Sequence, residues 1–146
     1  MGYNQSFNRY QRTSMITAGK LDLVIMCYDK VIQSLHQVKV NYEAKDFEAK
    51  ANALQKGLSI INELQCSLDC DKGGEIARNL DALYSYLTRR LLEGDLKEDL
   101  SAFDEAIHIM SELKEAWESV ASDQNNPVEA RPAPEQSKLD FSQIAA

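Results

Sequence analysis

Asp71-Lys-Gly-Gly-Glu-Ile-Ala-Arg-Asn-Leu-Asp-Ala-Leu-Tyr-Ser-Tyr-Leu-Thr-Arg-Arg-Leu-Leu-Glu-Gly94 is the stretch whose reading decides the fold. Ile76, Leu80, Leu83, Leu87 and Leu91 recur at steps of three and four, which places them on one face of a helix and makes that face core. Gly73 and Gly74 interrupt whatever precedes, because glycine weakens a helix interior and permits turn conformations closed to other residues. Gly94 is expected to close the helix as its C-terminal cap. Ala77, Tyr84 and Leu92 widen the apolar stripe beyond what a single packing seam uses, so part of it is available to something else.

Working outward, the same period returns on both sides. Lys20 to Tyr42 reads as a first helix with Leu21, Val24 or Ile25, Tyr28, Ile32, Leu35, Val38 and Tyr42 inward. Met26, Cys27 and Val31 fall off that stripe, so its first half is either central or covered by another segment. Asp46 can cap a second helix that reaches about Leu68, with Phe47, Ala51, Leu54, Leu58, Ile61 and Leu68 as its core stripe. Gly57, Ile60 and Leu64 form an adjoining shallow trough, fit for another helix of the chain or for a partner. Asp95 and Glu98 have the spacing of a reciprocal cap. A fourth helix follows with Leu96, Leu100, Phe103, Ala106 or Ile107, Met110, Leu113, Trp117 and Val120 in step through about Ala121.

Short links between long helices make neighbours antiparallel, so the fold class is all-α, an antiparallel up-down four-helix bundle. At 146 residues a single domain is expected. Residues 1–19, rich in Asn, Gln, Ser and Arg, read as a mobile N-terminal arm; residues 20–121 as the bundle; residues 122–146, interrupted by Pro127, Pro132 and Pro134, as a disordered tail. Phe7 and Tyr10 share one side of a helical turn and can dock together onto the body. Leu139, Phe141 and Ile144 offer a weaker docking peptide.

A formal net charge of -7 disfavours phosphate backbones and anionic membranes as partners. The longest unbroken apolar run, Leu23 to Tyr28, falls far short of the roughly 20 residues of a membrane span, so no membrane insertion is expected. Three cysteines, Cys27, Cys66 and Cys70, lie inside helical patterns and suit a reducing cytosol better than a disulfide framework.

Catalytic chemistry finds few candidates. Glu105 and His108 supply one Glu-x-x-His pair of the kind used in di-iron bundles, but Gln33 stands three before the other histidine, His36, and no second set exists. Cys66 and Cys70 share a helix face without two further ligands for zinc. His36 followed by Lys39 is the pairing of histidine phosphotransfer domains, although Val40 stands where those domains keep a small residue; a solvent-exposed His36 is the plainer reading. No nucleophile elbow or phosphate-binding glycine loop is present, so neither catalysis nor a metal or other cofactor is expected. An apolar surplus on three helices plus an aromatic arm suits a protein that holds an apolar segment of another protein.

Several blocks carry a family resemblance: Tyr10-Gln11, Thr17-Ala18, Leu21, Ile25-Met26 and Tyr28-Asp29; Lys45-Asp46-Phe47; Ile60-Ile61-Asn62-Glu63-Leu64; Lys72-Gly73-Gly74-Glu75-Ile76-Ala77 with Asn79-Leu80, Leu83-Tyr84, Tyr86 and Arg89-Arg90-Leu91; and Ala116-Trp117. In order and spacing they resemble the flagellar export chaperones of the FliS family over about residues 7 to 120. Gly19-Lys20 departs from the pattern, since that family usually has Ser-Pro or a similar pair there. The resemblance implies a cytoplasmic bacterial chaperone, without ATP, that binds the disordered C-terminal segment of flagellin one to one and brings it to the export gate. It also implies an N-terminal arm that covers part of the client surface until displaced. Carried onto this chain, Phe7 and Tyr10 are assigned to groove covering and client contact, and Ile60, Leu64, Ile76, Leu80, Leu83, Tyr84 and Leu87 to groove lining. Ile60, Leu64 and Tyr84, off the main stripes, are the preferred three. Another helical adaptor of secretion or assembly is the alternative.

Overall fold

A computed structural model of the chain describes residues 19–125; the arm residues Phe7 and Tyr10, and the tail beyond Asn125, lie outside the described residues. Four helices follow one another: α1 (Lys20–Glu43), α2 (Phe47–Cys66), α3 (Cys70–Leu96) and α4 (Ser101–Asn125). Among the described residues no helix is long and apolar enough to cross a membrane.

Polar contacts between the helices fix their directions. Asp29 pairs with Lys114 at 2.6 Å and Lys39 pairs with Asp104, so going forward along α1 means going backward along α4. Lys50 meets Asp95 at 2.6 Å while Gln65 meets Ser85 at 2.8 Å, which makes α2 and α3 antiparallel as well. The bundle therefore runs up, down, up, down, with each helix beside its neighbours in sequence and α4 closing back onto α1.

The core seam of α1 is Leu21, Val24, Tyr28, Val31, Leu35 and Val38. It passes through Val31 rather than Ile32, which is half-buried. Asp46 caps α2 as expected, accepting the Ala49 amide at 3.1 Å. On α2 the seam is Leu54, Gly57, Ile61 and Leu64. The trough at Gly57 is filled from within the chain: a Cβ added there would meet Ser34 and Leu35 of α1 at 3.5 and 3.6 Å. Phe47, expected inside, is 53% exposed, because α2 begins at this residue and its first turn projects past the core. Ala51 is likewise exposed, and α2 ends at Cys66 rather than Leu68.

Helix α3 starts earlier than the glycine break suggests. Asp69 caps it by accepting the amides of Asp71 and Lys72 at 3.0 and 3.1 Å. The break itself is real: Gly74 has φ 58° and ψ -133°, a conformation that side chains oppose. The far end corrects the sequence reading twice. Gly94 does not cap α3, which continues to Leu96; the chain turns at Lys97 and Glu98, the latter with φ 55°. Nor does Asp95 form a reciprocal cap with Glu98, since its carboxylate is engaged by Lys50; Asp99 accepts the Ser101 amide at 3.0 Å at the start of α4 instead. Leu96, expected in the fourth helix's stripe, is 84% exposed. Gly94 serves close approach: a Cβ there would lie 2.3 Å from Ala102 Cβ.

On α4, Ala102, Phe103, Ala106, Met110 and Trp117 are buried, and the helix runs past Ala121 to Asn125. At the centre, Tyr28 of α1 and Tyr84 of α3 join hydroxyls across the bundle. Trp117 of α4 meets Tyr28 edge-on, with ring centroids 6.3 Å apart.

Candidate functional site

The residues considered for catalysis are held elsewhere or stand apart. Glu105 accepts from the Tyr86 hydroxyl at 2.5 Å and from Arg90 Nε at 2.7 Å, and these bonds hold its carboxyl below the usual range. His108 instead pairs with Glu112 at 2.9 Å. His36 is exposed on α1, and Lys39, its phosphotransfer-like companion, is committed to Asp104. Cys66 and Cys70 are exposed, while burial and then Glu63 push the half-buried Cys27 thiol upward. Among the described residues no three His, Cys, Asp or Glu side chains are grouped to hold a metal ion.

The assigned partner-binding residues divide into two sets. Leu64, Leu80, Tyr84 and Leu87 are inside the core, at 6%, 6%, 1% and 0% exposure. Ile60, Ile76 and Leu83 are half-buried on its edge. Leu64 and Tyr84, two of the preferred three, therefore fill the interior. The seam of α3 runs Ala77, Leu80, Tyr84, Leu87, Leu91 and Gly94, so the helix is rotated from the all-leucine stripe and Ile76 and Leu83 move to its flank. A polar partner drives that choice: burial raises the Tyr84 hydroxyl's pKa strongly, and Tyr28 answers the buried O–H. The small residues Ala77 and Gly94, in phase with Tyr84, are the sequence signal of a close-packed face.

The edge residues do not form one continuous groove. Ile60 lies on the side of α2 that carries Gly57 and faces α1. Ile76 and Leu83 share their side of α3 with Arg90 and Tyr86, both bonded to Glu105 of α4. These are two apolar margins on opposite sides of the bundle. Between them, the α2 and α3 surfaces enclose a cleft of about 360 Å³ lined by Leu58, Asn62, Gln65, Ser85, Thr88 and Arg89. Reading for leucine stripes overlooks this cleft because five of its six walls are polar. The run Ser85, Thr88, Arg89 on one side of α3, beside Leu92 at 51% exposure, is the signal for it.

Comparison with known proteins draws these features together. The family model described as flagellar protein FliS matches residues 3–124. The flagellar secretion chaperone FliS of Salmonella typhimurium is 37% identical over 110 residues, covering 75% of this chain and 82% of the relative. That of Escherichia coli is 35% identical over 106 residues, covering 72% and 78%. That of Vibrio cholerae is 29% identical over 126 residues, covering 86% and 93%. These relatives are named as chaperones, which accords with a bundle whose partly exposed apolar margins flank a closed core. The up-down helical bundle and the match along nearly all of its described length place this chain in the flagellar protein FliS family.

Proposed function

We propose that this chain is a flagellin-specific export chaperone, not an enzyme, that works in the bacterial cytosol. It binds the disordered C-terminal segment of flagellin one to one, keeps that segment from polymerising early, and presents the complex to the flagellar export gate. The observation that carries this reading is the apolar margin of a family member's bundle: Ile60 with Ala53 on one side, Ile76 and Leu83 on another, each half-buried against a core that is complete without a partner. Such a surface gains from apolar burial when an unfolded segment is laid along it, and that gain offsets the entropy of ordering the client. In this proposal Phe7 and Tyr10 of the arm cover part of the margin until the client displaces them, and the tail carries no assigned role.

The test is calorimetric titration of the full chain with a synthetic peptide of about forty residues from a flagellin C terminus. Tight one-to-one binding with a negative heat-capacity change and a gain of helical circular dichroism is expected. Absence of binding to peptides from several flagellins would overturn the flagellin assignment and leave the helical adaptor reading.

A further inference from the structure

The cleft between α2 and α3 contains a charge that the fold does not use. Arg89 is exposed on the cleft wall and has no ion-pair or hydrogen-bond partner among the described residues, whereas its neighbour Arg90 is held by Glu105 and Asp99. The other polar walls leave donors and acceptors along the cleft. Gln65 already spans it, donating to the Asp81 carbonyl, the Asp81 carboxylate and Ser85, while Asn62 and Thr88 have no partner among the described residues. Leu58 is the cleft's one apolar wall. Leu92, at 51% exposure, lies one helical turn beyond Thr88, and Leu96, at 84%, one turn further. At the matching end of α2 stands Phe47, at 53%. Polar cleft and apolar approach thus lie in line along the α2 and α3 surface, on a molecule whose net charge is -7.

We infer that this surface seats an amphipathic segment of the client, with a carboxylate of that segment pairing with Arg89 and its apolar side chains covering Leu58 and Leu92. The inference rests on the client reading given above and names the chemistry by which this part of the client is chosen. Arginine's planar fork takes a carboxylate through two parallel bonds, which fixes position as well as adding affinity. An acidic segment approaching an acidic protein is drawn only to exposed cations, and Arg89 is the cation that lines this cleft, so it fixes where on the α2 and α3 surface such a segment settles. Apolar contacts at Leu58 and Leu92 exclude water from that pair and strengthen it.

The experiment compares full-length wild type, Arg89→Glu and Arg78→Glu in calorimetric titration with the flagellin C-terminal peptide. Arg78 is an exposed arginine of α3 outside the cleft walls, so its reversal changes net charge equally and serves as control. A second peptide carries amides in place of its Asp and Glu side chains. Arg89→Glu is expected to weaken binding about tenfold or more, Arg78→Glu by no more than about twofold, with the amide peptide insensitive to Arg89→Glu. Equal effects of the two reversals would overturn the Arg89 site while leaving the chaperone reading intact. Failure of wild type to bind the peptide would remove both. Unchanged thermal melts of the variants tie any loss to the surface.

Discussion

Tyr28 and Tyr84 share a buried hydroxyl–hydroxyl hydrogen bond between α1 and α3. Burial raises both hydroxyl pKa values, Tyr84 to well above the usual tyrosine range, and the Trp117 indole acts on Tyr28 in the same sense as the Tyr84 bond, opposing the rise. Removing the Tyr28 hydroxyl leaves that of Tyr84 buried without its partner, at a cost of about 1–3 kcal/mol, whereas removing the Tyr84 hydroxyl leaves Tyr28 the Trp117 indole. Tyr28→Phe is therefore expected to lower stability by roughly that amount and Tyr84→Phe by less, and Tyr28→Phe/Tyr84→Phe together to cost less than the sum of the single changes. Urea melts of the two single variants and the double variant check this; strict additivity would show that the hydroxyls do not couple. Tyr84 also shows how far side-chain identity is legible. An aromatic among leucines reads as extra width on a stripe, and only its partner on α1, distant in sequence, makes it the middle of the core.

Among the helices, two glycines with the same chemical freedom have opposite prospects. At Gly57 an added Cβ meets α1 at ordinary contact distance, so Gly57→Ala is expected to be neutral or to stabilise by up to about 1 kcal/mol through helix propensity. At Gly94 it would strike Ala102 at 2.3 Å and the Asp99 carbonyl at 3.1 Å. The turn between α3 and α4 must then shift, and Gly94→Ala is expected to cost about 1–3 kcal/mol despite better propensity. Thermal melts distinguish the two; stabilisation by both would mean the α3 and α4 ends are loosely joined. The same pair of helices carries a pH dependence. Bonds from Tyr86 and then Arg90 depress the Glu105 pKa below its ordinary 4.5. A depressed carboxylate stabilises the fold above its unfolded pKa, and this increment fades as pH falls through the folded value. Glu105→Gln should thus lower the melting temperature near neutrality and flatten its fall as pH drops below the ordinary carboxylate value of 4.5. Parallel curves for wild type and variant would assign Glu105 no part in acid stability.

At the scale of the whole molecule, the closed core and the open margins are separate properties, and substitution can address them separately. Ile60→Asp and Leu83→Asp place charge on half-buried margin positions facing different neighbours, so each is expected to weaken flagellin-peptide binding about tenfold while the helical melt stays cooperative. Tyr84→Ser, by contrast, strikes a side chain 1% exposed and should lower stability before it touches binding. Calorimetry and thermal circular dichroism on the same preparations measure both properties. If Ile60→Asp and Leu83→Asp bind as wild type does, the client lies elsewhere on the bundle. The margins do not merge into one surface because Ile60 faces the α1 side of α2 and Leu83 faces the α4 side of α3.

For the described residues, periodicity and short connections in the sequence alone determined an all-helical fold, four helices and their alternating direction, because a helix's apolar repeat is local and a link of a few residues leaves no other path. The Asp46 cap was equally legible, since its acceptor and donor lie three residues apart. Rotation of each helix about its axis was decided only by tertiary structure. Val31 against Ile32, or Tyr84 against Leu83, differ by one position, and the choice rests on what the neighbouring helix offers: a hydroxyl at Tyr28, a gap at Gly57, a close approach at Gly94. The end of α3 depended on the same long-range contacts, through Ala102 against Gly94 and Lys50 on Asp95. Which apolar residues close the core and which remain on its margins follows from that rotation, a consequence of packing that no spacing within a single helix records.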